Sequence, residues 1–424
     1  MLKISSIRAY EIIDSRGYPT IEAELLLDNG RQVTTSVPES QALYPGEVVD
    51  VRDEDVTRFN GRGVLHAVSY INDLIAPKLK GVSPSKLLEI DAWLLKADGT
   101  KNKSRLGGNT LLTISQLVAA AGAVEADVPL FRYLNELYTH IYKDTIAIER
   151  VPTPIFNMIN GGRHANTPMD FQEFQLIPSS SFTFATAYQK SIELFFELKK
   201  VLEYRNATTA VGEEGGFSPN LTTNLDALEI LNETITQSRM KPGLDMFIGI
   251  DFASSYFSKK GLYTIKDKPH PLRSGEYVDF VKSLITDYAV MAVEDPFDSE
   301  DWPSWKKLTS TVSSTVYVVA DELTRMSKER IENAIKEESC STILIKPNQI
   351  GTLSEMFELV NIARQNKMSY IVASRTSETN CDFIADLAVG LQSEFVKFGA
   401  PTRGERVAKY NRLWKIERDE LKIG

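Results

Sequence analysis

Cysteine, histidine and long apolar stretches are all scarce in this sequence of 424 residues. It contains only two cysteines, Cys340 and Cys381, and four histidines. So few cysteines favour reduced thiols in a cytoplasmic protein over a secreted, disulfide-stabilised one. No apolar run approaches the ~20 residues that span a bilayer, and residues 1–6 lack the apolar stretch of a signal peptide. We therefore expect a cytoplasmic protein without a membrane partner.

A surplus of positive charge is absent as well. Lysine and arginine number 48 against 57 aspartates and glutamates, which gives a net charge of −9. Nucleic-acid-binding proteins carry a basic surplus or a basic stripe, so we expect no nucleic-acid partner. The hydrophobic and charged fractions, 42% and 25%, are those of a folded globular chain. Because single cores rarely exceed ~250–300 residues, the length predicts one large domain and a smaller one.

The first third of the chain has the pattern of an α+β domain. Residues 3–13 and 20–27 are rich in apolar and β-branched side chains, and the turn Asp28-Asn29-Gly30 predicts a hairpin into a third strand over 31–37. Helical patterns follow at 63–75, just before Pro77, and at 110–126. A charged and aromatic stretch then begins at Tyr138. We place the boundary there, with an N-terminal domain of residues 1–138 and a C-terminal domain of residues 139–424.

One arrangement recurs in the second domain. A short apolar run ends at or just before a charged residue and an amphipathic stretch follows, six times, at Asp251, Glu294, Asp321, Lys346, Arg375 and Lys397. Continuous β-branched runs that alternate with helices predict a parallel sheet buried on both faces. With this many units in a segment near ~250 residues, we expect an α/β fold that closes into a β/α barrel. Side chains at the strand C-termini would then converge on one face, where such barrels carry their active sites.

Three of the strand-end residues are carboxylates that could surround one cation. Ligation of Asp251, Glu294 and Asp321 through oxygen alone suits a hard ion, above all Mg²⁺. Lys346 and Lys397 follow on later strands, and a lysine beside a divalent cation and a second ammonium is expected to have a lowered pKa, which suits a base. Alternatively, each charge only pairs with a neighbour at the barrel rim. Five such residues at strand ends favour a site.

Two segments before this set contain further carboxylates. Glu173 lies inside an apolar, strand-like run, and Glu214 belongs to an acidic pair that precedes a glycine turn. Carboxylates held close together raise one another's pKa, so one of them can stay protonated and serve as a general acid. A solvated loop is the alternative for the second segment.

Several ordered motifs resemble the enolase family across nearly the whole chain. They occupy residues 14–20 (DSRGYPT), 160–165 (NGGRHA), 172–174 (QEF), 211–216 (VGEEGG), 293–296 (VEDP), 344–353 (LIKPNQIGTL) and 406–411 (RVAKYN). The resemblance implies an α+β N-terminal domain packed on a modified (β/α)8 barrel, usually in a homodimer. Glu22 and Lys415 keep opposite charges at one of the family's two intersubunit ion pairs. Tyr10 stands where the arginine of the other pair is expected, opposite Glu405.

The resemblance also implies a reaction, the dehydration of 2-phosphoglycerate to phosphoenolpyruvate in glycolysis. Lys346 would remove the proton from carbon 2, and Glu214 would protonate the departing hydroxide. Mg²⁺ on the three strand-end carboxylates would bind the substrate carboxylate. The substrate-binding residues would be Glu173 beside the acid, Lys397 as a second cation, Arg375 and Thr376 at the phosphate, and His164 on a mobile loop.

The sequence departs from the family on two loops that face the substrate. After Val37-Pro38, Ala42 takes the place of the serine that helps to bind a second Mg²⁺, while Glu39 adds a negative charge and Ser40 and Tyr44 replace glycines. At the phosphate end, Ser374 replaces a histidine and Cys381 an acidic residue.

These departures leave three interpretations open. The protein could be a working enolase whose altered loop supplies metal contacts through backbone carbonyls or Glu39. It could be a diverged relative that uses the same base and metal on another phosphorylated, phosphonate or β-hydroxy acid. It could also be a binding or scaffold protein without turnover, although such a descendant is expected to lose carboxylates that repel one another.

Overall fold

In a computed structural model, the chain is described over residues 1–40, 44, 47–165 and 167–422. Its first sheet has three antiparallel strands in the order β1-β2-β3, which are Ile4–Ile13, Pro19–Leu27 and Gln32–Val37. The predicted hairpin is confirmed, and Gly30 at its turn has φ +84°, a conformation that glycine adopts without strain. The buried face of this sheet starts the core of the N-terminal domain.

The described part of the N-terminal domain also contains five α-helices: α1 (Leu65–Ser69), α2 (Ala76–Leu79), α3 (Leu87–Asp98), α4 (Gly108–Ala126) and α5 (Leu130–Tyr142). The apolar helix α4 is almost entirely buried and packs beneath β2 and β3. The predicted helix end before Pro77 is wrong. A π-helical segment, Tyr70–Ile75, joins α1 to α2, and Pro77 is the second residue of α2, directly after this segment.

The second domain is a closed barrel of eight strands, which confirms the predicted fold class. Its strands are β4 (Thr153–Asn160), β5 (Glu173–Pro178), β6 (Met246–Asp251), β10 (Val290–Glu294), β11 (Tyr317–Ala320), β12 (Thr342–Ile345), β13 (Ser369–Ala373) and β14 (Phe395–Lys397). The short strands β7 (Ser258–Lys259), β8 (Leu262–Tyr263) and β9 (Leu272–Arg273) form a small sheet outside the barrel.

Among the residues described after α5, eight α-helices belong to the second domain. They are α6 (Phe184–Tyr204), α7 (Asn224–Gln237), α8 (Ser274–Asp287), α9 (Trp302–Val312), α10 (Lys328–Lys336), α11 (Leu353–Gln365), α12 (Phe383–Leu391) and α13 (Gly404–Lys415). Every residue of β4 and β12 is buried, as expected for strands covered on both faces. The predicted alternation of apolar runs and helices is therefore confirmed from β6 onward.

The strand β5 runs antiparallel to both of its neighbours, β4 and β6. Because of this reversal, its first residue, Glu173, lies beside the last residues of the adjacent strands. Glu173 is paired with Asn160 on one side and with Asp251 on the other. A glutamate at the start of a strand thereby reaches the same rim as the carboxylates at the strand ends.

The predicted boundary after residue 138 falls inside α5. This helix packs closely against α12 of the barrel, since a Cβ on Gly390 would meet the Phe131 carbonyl at 2.5 Å. Residues 143–152 form no helix or strand and lead into β4. The division at 138 stays a prediction, and a boundary between 143 and 152 would leave α5 intact.

Helix α11 begins at a junction between the two domains. The Asp91 carboxylate on α3 accepts hydrogen bonds from the Ser354 backbone N–H at 3.1 Å and from its hydroxyl at 2.6 Å. The Ser115 hydroxyl accepts from the Leu353 N–H at 3.0 Å. Side chains of the N-terminal domain therefore cap a barrel helix.

We expect Asp91→Asn to change how stability depends on pH. Burial raises the pKa of Asp91 from 3.8 to about 6. Because the folded form binds this proton more tightly than the unfolded form, stability falls as the pH rises from 4 to 6. Asparagine keeps an oxygen acceptor without the charge, so the variant should gain about 2–3 kcal/mol relative to wild type between pH 4 and pH 7.5.

Urea unfolding at several pH values would measure this gain. The exposed Asp127→Asn is the matched control and should follow the wild-type profile. If Asp91→Asn also followed that profile, ionisation of Asp91 would not change the free energy of unfolding.

No single helix within the described ranges is long and apolar enough to cross a membrane. The pair α4 and α5 would pass that test together by length and composition, but the two helices meet at 99°.

Candidate active site

One pocket of about 490 Å³ opens at the C-terminal ends of the barrel strands. The N-terminal domain contributes to its wall, since Arg16, Glu39 and Arg52 line it. Of the residues predicted for the site, nine line this pocket: Glu173, Glu214, Asp251, Glu294, Asp321, Lys346, Arg375, Thr376 and Lys397. Six of these nine residues were singled out by the strand-end pattern, and the structure places them around one pocket.

Lys397 is surrounded by carboxylates. It ends β14 with 8% of its side chain exposed, and its Nζ lies 2.7 Å from Glu294, 3.1 Å from Glu173 and 3.2 Å from Asp251. Burial alone would lower the pKa of Lys397, but the carboxylates outweigh it and hold the pKa well above its ordinary value. These carboxylates therefore favour the protonated form of Lys397.

The carboxylates around Lys397 are difficult to ionise together. Burial is the largest cause that raises the pKa of Glu173 and Glu294 to about 8 and that of Asp251 to about 7, although Lys397 opposes it. Neighbouring acids add to the effect, as expected for like charges that share a pocket with little water. One ammonium does not balance this negative charge, so the cluster favours a further cation.

Lys346 follows β12 and its ammonium donates to the Asp321 carboxylate. Burial would raise the pKa of Asp321, but Lys346 and Arg375 outweigh it and hold that pKa below its ordinary value. Asp295 fixes the position of this segment, because its two oxygens accept from the backbone N–H groups of Asp321 at 3.0 Å and Glu322 at 2.9 Å. Asp295 was missed from sequence, although its place directly after Glu294 was the available signal.

Glu214 projects from a turn held against the barrel. Its backbone carbonyl accepts from the Ala400 N–H at 3.0 Å, just after β14. One carboxylate oxygen accepts from the Thr376 hydroxyl at 3.2 Å and the other from the Asn157 amide at 3.3 Å. The two donors fix the orientation of the carboxylate, and they tie it to the loop that carries Arg375.

Two described residues of the altered loop after Pro38 are held by protein groups. The Glu39 carboxylate lies 3.0 Å from Arg52, and its backbone carbonyl accepts from the Asn348 amide at 2.8 Å. The Ser40 N–H donates to Asp50 at 3.0 Å. One carboxylate oxygen and the backbone carbonyl of Glu39 thus have protein partners, and the metal contacts expected from this loop stay a prediction.

Other predictions for the loops lie partly outside the described structure. Ala42 is outside the described residues. His164 belongs to a single turn, Gly162–His164, but its side chain also lies outside the described part, so its contact with substrate stays a prediction. Tyr44 is described, and the Arg325 guanidinium stacks 3.9 Å from its ring centroid. This contact joins Tyr44 to the barrel rim.

The two departures at the phosphate end meet at one small cavity. Ser374 and Cys381 both line a space of about 30 Å³, together with Ser36 and Asn348. The Cys381 thiol lies 3.5 Å from the Thr35 hydroxyl. The two positions at which the resemblance implies a histidine and an acid therefore border the same small cavity.

The donor chemistry of the pocket fits Mg²⁺. Asp251, Glu294 and Asp321 offer only carboxylate oxygens, which are the ligands that Mg²⁺ prefers, and a cation bound there would oppose the burial that raises the pKa of Asp251 and Glu294. Across the described residues, no group of three or more His, Cys, Asp or Glu side chains is already arranged around an ion site. Lys397 and Lys346 hold the carboxylates instead. The ligand set therefore stays a prediction.

Comparisons with known proteins cover both domains. The family model described as "Enolase, N-terminal domain" matches residues 4–134, and that described as "Enolase, C-terminal TIM barrel domain" matches residues 149–422. A protein named Enolase from Acidothermus cellulolyticus is 39% identical over 419 residues, which are 99% of this chain and 95% of the relative. The two matched segments leave residues 135–148 between them.

Proposed function

Because the chain belongs to the enolase family, we propose that it is a Mg²⁺-dependent carbon–oxygen lyase that dehydrates 2-phosphoglycerate to phosphoenolpyruvate in glycolysis. One observation on the pocket of this protein supports the proposal in addition to the family match. Lys346, which is paired with Asp321, and Glu214, whose carboxylate is held in one orientation, line the same pocket. Arg375 and the three carboxylates that could bind a metal line it as well. Proton removal, departure of hydroxide and binding of an anionic substrate all need groups of these types.

Each acid–base role follows from the contacts of the side chain. Lys397 stays cationic among its carboxylates, so of the two lysines that line the described pocket only Lys346 is suited to take the carbon 2 proton at Nζ. Glu214 delivers a proton to the departing hydroxyl, and Thr376 and Asn157 hold its carboxyl group in place. Burial raises the pKa of Glu173 to about 8, which favours a bound proton on this member of the acid cluster near neutral pH.

Substrate binding uses the cations of the pocket. The Arg375 guanidinium suits a phosphate, which it can bind through two parallel hydrogen bonds. Lys397 faces the substrate carboxylate. Mg²⁺ on Asp251, Glu294 and Asp321 would supply positive charge to that carboxylate as electron density moves onto it.

Steady-state turnover of 2-phosphoglycerate during a Mg²⁺ titration tests the proposal, with phosphoenolpyruvate followed by ultraviolet absorbance. We expect kcat in the ordinary enzyme range of about 1–10³ s⁻¹. If wild type bound Mg²⁺ but turned over no faster than Lys346→Met, the substrate assignment would be wrong. Phosphonate and β-hydroxy acid analogues would then be the next substrates to test, because the base and metal site would remain.

We expect Mg²⁺ to raise the thermal stability of the protein, and Asp321→Ala to remove most of that gain. A ligand that binds only the folded state stabilises it by about 2.7 kcal/mol at 100 times its Kd. Differential scanning calorimetry with and without Mg²⁺ would measure the shift. Asp127→Ala, on the exposed surface, is the control and should keep it. An equal shift in Asp321→Ala would place the metal elsewhere.

We also propose a cytoplasmic homodimer. Glu22 lies on β2 beside Tyr10 of β1, and with Glu405 it lines a groove that contains several further acids. A basic side chain such as Lys415 of a second copy would complement this charge. Sedimentation at increasing salt would measure the dimer, which should dissociate more readily than one held by two ion pairs.

A further inference from the structure

Arg406 is buried directly behind the phosphate loop, defined here as residues 374–376. It lies in the first turn of α13 and is fully buried. One guanidinium nitrogen donates to the Ser374 hydroxyl at 3.1 Å and to the Arg375 carbonyl at 2.7 Å, and the other terminal nitrogen donates to the Thr376 carbonyl. A single side chain thus holds three consecutive residues that line the pocket.

Burying the positive charge of Arg406 costs folding free energy. A buried cation is destabilising unless a carboxylate and good hydrogen bonds compensate it. The Glu405 carboxylate lies 3.6 Å from Nε, too far for a hydrogen bond, whereas Arg412 on the same helix forms two bonds to Asp386 at 2.7 and 2.6 Å. Stability alone therefore accounts for Arg412 better than for Arg406.

Arg406 contacts the phosphate loop directly and is linked through Thr376 to the acid, Glu214. A planar guanidinium with several fixed donors can bridge the three acceptors of the phosphate loop, whereas a single ammonium cannot match that geometry. The Thr376 hydroxyl donates to Glu214, so a shift of this loop would also reach the acid. The stem of Arg406 packs beside Gly399, where an added Cβ would lie 3.2 Å from Cδ and 3.0 Å from the Glu214 carbonyl.

We propose that Arg406 is a positioning residue that orients Arg375 and Thr376 for binding the substrate phosphate. The proposal rests on the proposed function of this pocket as a site for a phosphorylated acid. Arg406 does not touch substrate, since it acts through the backbone of the phosphate loop. It also places a buried positive charge behind the anion.

The test compares Arg406→Lys with Arg412→Lys, a matched change on the same helix away from the pocket. Inorganic phosphate is the probe, and its binding is measured by calorimetry in the presence of Mg²⁺. We expect phosphate to bind at least about 10-fold more weakly to Arg406→Lys because its loop loses the fork of donors. KM for 2-phosphoglycerate should rise by a similar factor, with kcat changed less. Arg412→Lys should bind phosphate like wild type even where it lowers thermal stability.

The outcomes separate this inference from the proposed function. Weaker phosphate binding in Arg406→Lys supports the positioning role even if no form of the protein dehydrates 2-phosphoglycerate. Equal phosphate binding in the two lysine variants overturns it even if wild type is a fully active enolase. Should Arg406→Lys not fold, Ser374→Ala removes one of the three acceptors. Unchanged phosphate affinity and unchanged hydrogen exchange of the loop amides in Ser374→Ala would then overturn the inference.

Discussion

Replacing Lys346 by methionine is expected to lower kcat for 2-phosphoglycerate by at least about 10³-fold, within the range that a positioned general base contributes. Methionine keeps the length of the side chain but cannot accept a proton. It also leaves the Asp321 carboxylate without its ammonium partner. A second readout is exchange of the carbon 2 proton with solvent deuterium, which should be lost together with turnover.

The matched control is Lys103→Met. Lys103 is also a buried lysine, paired with Glu355 at 2.6 Å, but it lies outside the pocket. This variant should lose stability and keep both turnover and proton exchange. If Lys346→Met still exchanged the carbon 2 proton at the wild-type rate, another group would be the base.

Much of the site followed from a local pattern in the sequence. Asp251 and Glu294 each end a strand, and Asp321 and Lys346 each follow one, so the closed barrel brings all four to one rim. The pattern needs only the identity of the residue after a buried run, which is visible along the chain. Glu173 reached the rim for another reason, because β5 runs antiparallel and presents its first residue there.

The parts that sequence reasoning did not find depend on contacts between distant segments. Thr376 and Glu214 are 162 residues apart, and Asn348 and Glu39 are 309 apart. Such pairs meet only after the barrel has closed and the N-terminal domain has packed over it. No local pattern encodes them, and the same is true of the guanidinium of Arg406 behind the phosphate loop.

The structure adds an electrostatic argument to the choice between the two lysines. From sequence, either strand-end lysine could have its pKa lowered by a neighbouring cation. The observed surroundings of Lys397 are three carboxylates within 3.2 Å, which raise its pKa instead. Only the resemblance assigns the base to Lys346; the carboxylates around Lys397 agree with that assignment, which stays a prediction.

Replacing Glu214 by glutamine is expected to block departure of the hydroxyl while leaving removal of the carbon 2 proton intact. Glutamine keeps the shape of the side chain and can still accept a hydrogen bond from Thr376, but it cannot deliver a proton to the departing hydroxyl. We expect kcat to fall by about 10²–10⁴-fold, the contribution of a positioned general acid. Exchange of the carbon 2 proton should persist, because Lys346 is untouched.

The adjacent Glu213→Gln is the matched control, since the Glu213 side chain is 46% exposed and pairs with Arg16 at 3.3 Å. It should lower kcat far less than Glu214→Gln does. Loss of proton exchange in Glu214→Gln would mean that the two groups act as one unit. Retention of full turnover would assign the acid to another carboxyl group, and Glu173 would be the first to examine because its pKa of about 8 keeps it protonated at neutral pH. A double variant of Glu173 and Glu214 would then distinguish a shared proton from a replaced one.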